Sequence, residues 1–240
     1  MIGLHTGRTG MSDTEDLKSA ARLSRDDRIR AILVAARGVL ARKGYEAFLT
    51  TDVADVCRIS EGTIYRYFPT KRDLLIRVAE DWFAEVIALE PKTPRSQGTQ
   101  EQLKHFIAHC LAVVRKEPSL TRFILLELRS DPAYRSMRVF ELNRQFTSKV
   151  VKVLRDAVES GEIRNDVPLP LLRDMVFGGL EHATWAYLRG EGDFSTENVA
   201  AGLARVIYRG MAAHPAAARY DELAGVIDRL EAIAETLGGR

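Results

Sequence analysis

Residues 50–68 read TTDVADVCRISEGTIYRYF, and this stretch constrains the fold more than any other. It predicts two short helices joined by a tight turn. Val53, Ala54 and Val56 give the first helix an apolar face. Ala54 is small where two such helices must cross closely. Ile59 is the apolar residue of the turn, and Ile64 and Phe68 continue the apolar set in the second helix. Together they close a small core. Ser60 stands where a side-chain oxygen can cap the second helix. Gly62 lowers helix propensity there, which makes sense if the backbone must approach a partner closely.

The rest of the chain reads as helix throughout. Ser24 followed by Asp27 resembles a capping box. Behind it Ile29, Ile32, Leu33, Ala36, Val39 and Leu40 recur at helical spacing, and Gly44 stops that helix in a left-handed cap. Thr70 with Asp73 marks another start, and Leu74, Leu75, Val78, Trp82, Phe83 and Val86 carry that helix to about Leu89. The stretch 91–98 reads as a loop. Further helices are expected over 103–114 and 120–128, and from Asp131-Pro132 to about Glu159 with Asp as cap and Pro at the first turn. Others follow from Pro168 to Leu188 and from Ser195 to about Ala213. A last helix after Pro215 carries Leu223, Val226, Leu230, Ile233 and Leu237, a narrow seam of the paired-helix kind. No strand-period alternation and no repeat is present. The expectation is an all-α protein of nine or ten helices. Its parts are a mobile N-terminal tail over 1–23, a three-helix helix-turn-helix domain over 24–70, and a helical ligand-binding and dimerisation domain over 71–240.

Charge separates the parts. The 240 residues are 46% apolar with a formal net charge of +2, so the whole chain is not a polybasic binder of nucleic acid. From Arg25 to Arg72, however, ten Lys and Arg stand against six Asp and Glu. A locally basic helix-turn-helix suits a module that contacts DNA phosphates. Its second helix would enter the major groove. Thr63, Tyr65 and Arg66 lie away from its apolar side and can reach base edges. Tyr67 and Lys71 flank it and can clamp phosphates, with Ser60, Glu61 and Gly62 at its start. No apolar run is long enough to span a bilayer, and the first residues carry no secretory pattern. A cytoplasmic protein is expected, and Met11 is a second candidate start. Cys57 and Cys110 have no metal-like spacing and are expected to be buried thiols.

The run from Thr50 to Leu75, above all Ser60 to Phe68 followed by Lys71 and Leu74, resembles the TetR/AcrR family of bacterial transcriptional repressors. The resemblance covers about residues 25–75. It implies a three-helix DNA-binding domain, a linking fourth helix and a variable helical ligand-binding domain. It further implies a homodimer that binds a palindromic double-stranded operator and releases it when a small molecule binds. Two positions depart from the family pattern. Leu49 replaces a common threonine, so Thr50 or Thr51 is expected to take over the helix cap and its phosphate contact. Arg58 replaces a glycine in the turn, where a left-handed conformation would cost about 1 kcal/mol. Glu61 is unfavourable beside a phosphate, and a cytosine amine is an alternative partner for it.

Farther on, Gly161-Glu162-Ile163-Arg164-Asn165-Asp166 and Met175-Val176-Phe177-Gly178-Gly179-Leu180-Glu181-His182, with Trp185 one turn later, resemble the TetR-type fatty-acid-degradation regulators. That resemblance implies a long-chain acyl-CoA effector. Gly178 and Gly179 allow a close helix approach, at a subunit interface or within one subunit. With Phe177, His182, Trp185, Val199, Leu203, Val206 and Ile207 they form the candidate dimer surface. Candidate lining for an apolar effector is Trp82, Phe83, Phe106, Cys110, Phe123, Met137, Phe140 and Met175, with Arg138 and Arg144 near an anionic head group.

Two other classes stay open at this stage. An enzyme would need a nucleotide loop or a metal cluster. The histidines His5, His105, His109, His182 and His214 are mostly isolated, and His105 with His109 supplies only two ligands at helical spacing. No cofactor is implied. A DNA-binding adaptor without effector would need a filled core in the body, whereas a cavity there favours a sensor, of acyl-CoA or of multidrug type.

Overall fold

A computed structural model describes residues 24–89 and 98–213, with 226, 227, 229 and 230 beyond them. The expected tail over 1–23, most of the loop after Leu89, and His5, His214, Leu223, Ile233 and Leu237 lie outside the described residues. Val226 and Leu230 are helical and exposed. Among the described residues there are nine α-helices and a single isolated bridge pair, Ile163 with Ala212. The chain packs as two compact units, one ending at Val78 and one beginning at Ala79.

The first unit begins with α1, Arg25–Lys43. Ser24 Oγ accepts from the Asp27 N–H at 3.1 Å and donates to the Asp27 carboxylate at 2.7 Å, so the expected cap forms. Gly44 closes the helix with φ 73°, its N–H donating to the Leu40 carbonyl at 2.9 Å. Helix α2 is Thr50–Cys57 and α3 is Glu61–Tyr65. Helix α4, Lys71–Leu89, starts from Thr70, whose Oγ1 accepts from the Asp73 N–H at 3.1 Å. The core is Ile32, Leu33, Ala36, Val39, Leu40, Phe48, Val53, Ala54, Ile64, Phe68, Leu74, Leu75 and Val78.

Three local expectations are corrected here. Neither Thr50 nor Thr51 caps α2. Leu49 occupies the cap position in extended conformation and offers no side-chain acceptor, while Thr50 is already inside the helix and buried. Val56 is exposed. Cys57, expected to be a buried thiol, is half-buried: it lies three and four residues after Ala54 and Val53 on the same face, and its thiol donates to the Ala31 carbonyl at 3.7 Å. Arg58 does hold the left-handed conformation anticipated for it, with φ 53° and ψ 46°, and no other non-glycine among the described residues has positive φ.

The second unit is built around α5, Thr99–Lys116. It packs against α6, Pro118–Phe123, α7, Arg138–Glu159, α8, Leu169–Leu188, and α9, Thr196–Met211. Helix α9 turns Ala200, Ala204, Ile207 and Met211 inward at helical spacing, and its two alanines allow a close crossing. Beyond α6 the chain widens into one π-turn, Ile124–Leu128, with the Arg129 N–H donating to the Ile124 carbonyl at 3.0 Å. The helix expected to start at Asp131-Pro132 starts only at Arg138. Asp131 Oδ1 accepts from the Ala133 N–H at 2.7 Å and forms a local turn. A 3-10 turn, Tyr134–Ser136, follows, and extended Met137 breaks continuity. Glu162 ties the unit together, accepting from Thr99 Oγ1 at 2.6 Å and Tyr208 Oη at 2.9 Å. No described helix is long and apolar enough to cross a membrane.

The uncapped start of α2 generates a stability test. Leu49 already has the backbone conformation of a cap residue, and its side chain is 56% exposed. Leu49→Ser therefore adds a missing acceptor at little packing loss. An increase in unfolding free energy of about 1 kcal/mol is expected in urea melts. An unchanged midpoint would show that the first-turn amides already have partners of equal strength.

Candidate functional site

Two sites emerge, one in each unit. The first is the surface of α3. Ser60 Oγ accepts from the Thr63 N–H at 3.2 Å and pairs with Thr63 Oγ1 at 2.9 Å, so the helix begins where its sequence signal placed it. Ile64 is fully buried, and this aims the other side of the helix outward. Gly62, Tyr65 and Arg66 are exposed there, while Glu61, Thr63 and Tyr67 are half-buried. A Cβ added at Gly62 would meet nothing within 4 Å, so the open space belongs to whatever approaches from outside. Arg66 lies over the Tyr67 ring at 5.8 Å.

Two residues foreseen at this surface are occupied differently. Thr50 is buried at the base of α3, where its hydroxyl donates to Glu61 Oε1 and lies 2.9 Å from Tyr65 Oη. Thr51 is exposed on α2. Lys71 donates to the Tyr45 carbonyl at 2.8 Å, and its ammonium lies 4.6 Å and 5.6 Å from the Tyr45 and Phe48 ring centroids. It pins the chain before α2 to the start of α4. Phe48 and Tyr45 carried no sequence signal for this, because their role depends on a lysine far along the chain.

The second site is a cavity of about 860 Å³ inside the second unit. Trp82, Phe83, Cys110, Phe140 and Arg144 line it as the sequence reading foresaw. Phe106, Phe123 and Met137 are not on its wall. Phe123 is fully buried, and Phe106 stacks behind the wall against Phe146 and Phe177 at 5.8 Å and 5.9 Å. Phe177, assigned to the dimer surface, lines the cavity instead. Met175, assigned to the cavity, is 52% exposed. The two lie two residues apart on α8, so they face in very different directions.

One wall of the cavity is aromatic, with Trp82 and Phe83 at 5.0 Å and Phe83 and Phe146 at 6.4 Å. Polar groups gather elsewhere. Arg129, Arg135, Arg144 and Arg173 stand against only Asp174 and Glu181, with Arg129 paired to Glu181 at 2.7 Å and Arg144 over Phe140 at 5.9 Å. Thr121 and Tyr134 also line it. Both are more than nine-tenths buried, and the Thr121 hydroxyl has no partner among the described residues. Burial pushes the Tyr134 hydroxyl up, against the pull of the Arg129 charge and of the Asn143 side chain beside it. Burial also pushes the Cys110 thiol far above its usual range, so it is an inert wall residue. His109 is half-buried, its ring 6.0 Å from Phe146, and burial lowers its pKa, while His105 is exposed.

Much of this polar wall was missed from sequence. The signal that existed was the mixed face of α7, where Phe140, Asn143, Arg144 and Thr147 share one side at helical spacing.

The remaining candidates lie on α8 and α9. Gly179 approaches Leu203 within the subunit, since a Cβ there would come 3.0 Å from Leu203 Cδ2. Gly178 faces open space. His182 is exposed, Trp185 and Val199 are half-buried, and Val206 is 68% exposed.

Comparison with known proteins agrees with this geometry. Residues 32–78 match the family model described as bacterial regulatory proteins, tetR family, and residues 96–211 match the tetracyclin repressor-like C-terminal domain. The chain belongs to the tetR family. It is a helix-turn-helix, DNA-binding transcriptional regulator. The fatty acid metabolism regulator protein of Bacillus subtilis (strain 168) is 26% identical over 157 residues, 64% of this chain and 81% of that one. The transcriptional repressor KstR of Rhodococcus jostii (strain RHA1) is 32% identical over 107 residues, 45% and 49% of the two chains. The fold matches the crystal structure of FadR from Bacillus subtilis in complex with stearoyl-CoA with a TM-score of 0.65 at 23% identity, covering 76% of this chain and 98% of that one.

The cap of α3 is the simplest support of the first site to test. Ser60→Ala removes the oxygen that holds the Thr63 amide. A loss of about 1 kcal/mol in unfolding free energy is expected, with weaker binding to the cognate duplex in anisotropy titrations. Unchanged values of both would show that packing of Ile64 alone holds the helix.

Proposed function

We propose that the chain is a ligand-responsive repressor. It binds a palindromic operator as a homodimer and lets go when a long-chain acyl thioester of the acyl-CoA class occupies the cavity. The single observation that carries the reading is the cavity itself: an aromatic wall, two buried hydroxyls, of which that of Thr121 is unpartnered, and an excess of arginines. An acyl chain satisfies the aromatic wall. A thioester or amide carbonyl can accept from Thr121 or Tyr134, and buried polar groups without partners are costly. Phosphates suit the arginines. A DNA-binding adaptor would have closed this space with side chains. A sensor of cationic drugs would carry more carboxylates than arginines, the reverse of what lines the wall. The relatives that regulate fatty acid metabolism, and the FadR structure with stearoyl-CoA, point the same way.

Helix α4 belongs to both functions by sequence, with Leu74, Leu75 and Val78 in the core of the first unit and Trp82 and Phe83 on the cavity wall. An effector acts only through a difference in affinity between the two arrangements of the protein. A tenfold loss of operator affinity needs about 1.4 kcal/mol of such coupling. The test is operator release titrated with acyl-CoAs of increasing chain length, free CoA, a free fatty acid and a bulky cationic drug. Release by acyl-CoA that strengthens with chain length is expected. Release by the cationic drug alone would replace this reading with the multidrug one.

Dimerisation is supported by the face of α8 that carries Leu171, Met175, Gly178 and His182, spaced one helical turn apart and exposed. Val206 of α9 adds a large exposed apolar group. A two-fold pair would set the two recognition helices about 34–36 Å apart, one turn of DNA. Gly178→Arg tests it cleanly, because a side chain there meets nothing within its own subunit. Retained helical circular dichroism with a shift to monomer in sedimentation is expected. A variant that sediments as a dimer would place the interface elsewhere.

A further inference from the structure

The base of α3 holds a chain of hydroxyl groups whose hydrogen-bond directions are determined by chemistry. Thr50 donates to Glu61 Oε1. A carboxylate only accepts, so the one hydrogen of the threonine hydroxyl is committed to Glu61. Thr50 Oγ1 and Tyr65 Oη lie 2.9 Å apart. With the threonine hydrogen already used, the tyrosine must be the donor across that gap. Tyr65 therefore spends its own hydrogen inward, and its oxygen retains only lone pairs. The Tyr65 side chain is at the outer surface, 41% exposed, while Thr50 is buried and cannot turn to another partner.

We infer that Thr50 and Glu61 are positioning residues that fix Tyr65 as a hydrogen-bond acceptor, so that Tyr65 reads an amino-bearing base, adenine or cytosine, on one strand of the operator. An oxygen that can only accept has nothing to offer a phosphate, which also only accepts. It is equally mismatched to guanine O6 and N7 and to thymine O4. In the major groove the matching groups are adenine N6 and cytosine N4. Every base pair carries one such amino group, so the readout selects which strand bears it. The second oxygen of Glu61 is an acceptor too. The two residues lie four apart on one helix face, about 6 Å along the axis, which spans roughly two base steps of 3.4 Å. Two acceptors so spaced favour amino groups about two base steps apart in a half-site.

The inference rests on the operator-binding reading, and one experiment separates the two. The full chain is used to select binding duplexes from a randomised pool, alongside Tyr65→Phe and Thr50→Val. The wild type is expected to enrich a palindrome with one position per half-site restricted to adenine or cytosine on a given strand, preferred about fivefold to tenfold over guanine or thymine. Tyr65→Phe is expected to erase that preference and leave the other positions intact. Thr50→Val keeps the volume and leaves the tyrosine free to donate or accept, so the same position should relax to all four bases. Thermal melting of Thr50→Val confirms that the head stays folded. A palindrome with guanine or thymine at the Tyr65-dependent position overturns the inference alone. So does Thr50→Val with the wild-type preference, or Tyr65→Phe that weakens all duplexes alike, the mark of a sequence-independent backbone contact. A pool with no enriched palindrome overturns the operator reading and this inference together.

Discussion

The exposed surface of α3 depends on the burial of Ile64. Helix α3 has five residues, far too few to be stable in isolation. It exists because Ile64 and, one turn later, Phe68 are buried, because the helix packs on α2, and because Ser60 satisfies an orphan amide at its start. Once Ile64 points inward, the direction of Gly62, Tyr65 and Arg66 follows from the 100° advance per residue. The surrounding devices serve the same end. Arg58 accepts a left-handed backbone in the turn, a strain of about 1–2 kcal/mol, so that α2 and α3 can cross. Lys71 fastens the chain before α2 to α4 through the Tyr45 carbonyl and two rings.

The second unit follows the same packing rule and departs from it at one place. Along α5, Leu103, Phe106, Ile107, Cys110, Leu111 and Val114 fill the interior, and α9 closes over them with alanines. Near Thr121 and Tyr134 the walls stand apart. The π-turn at Ile124–Leu128 lies there and turns Ile124, Leu125 and Arg129 toward the cavity. A widened turn interrupts the i→i+4 ladder and is a local cost that recurs at functional sites. A buried hydroxyl without a partner, that of Thr121, is a second such cost. Both occur at the cavity.

The motifs that looked like signatures divide between scaffold and surface. Glu162, in the Gly161–Asp166 stretch, is a structural clamp between Thr99 and Tyr208. The two glycines of the pair Gly178 and Gly179 have different surroundings. Gly179 lets α9 come close through Leu203, and Gly178 leaves a gap on the outer face of α8. One residue of offset separates the two roles, since adjacent positions on a helix point about 100° apart.

Sequence by itself determined the all-helical class, the caps at Ser24, Ser60 and Thr70, and the short helix after Ser60, because these rest on local chemistry: periodicity, a side-chain oxygen three residues before an amide, a glycine at positive φ. It also placed Trp82, Phe83, Cys110, Phe140 and Arg144 near a common space, and they line one cavity, since large apolar residues on inward faces are few. Tertiary structure alone decided the rest. It turned Met175 outward and Phe177 inward, and it put Phe106 and Phe123 behind the wall rather than on it. It buried Thr50 where the sequence suggested a cap and gave that hydroxyl to Glu61. It also gathered arginines from four separate segments around one cavity. Which of several apolar residues is core, wall or surface depends on the angle at which two helices cross, and that angle is set by side chains far apart in sequence.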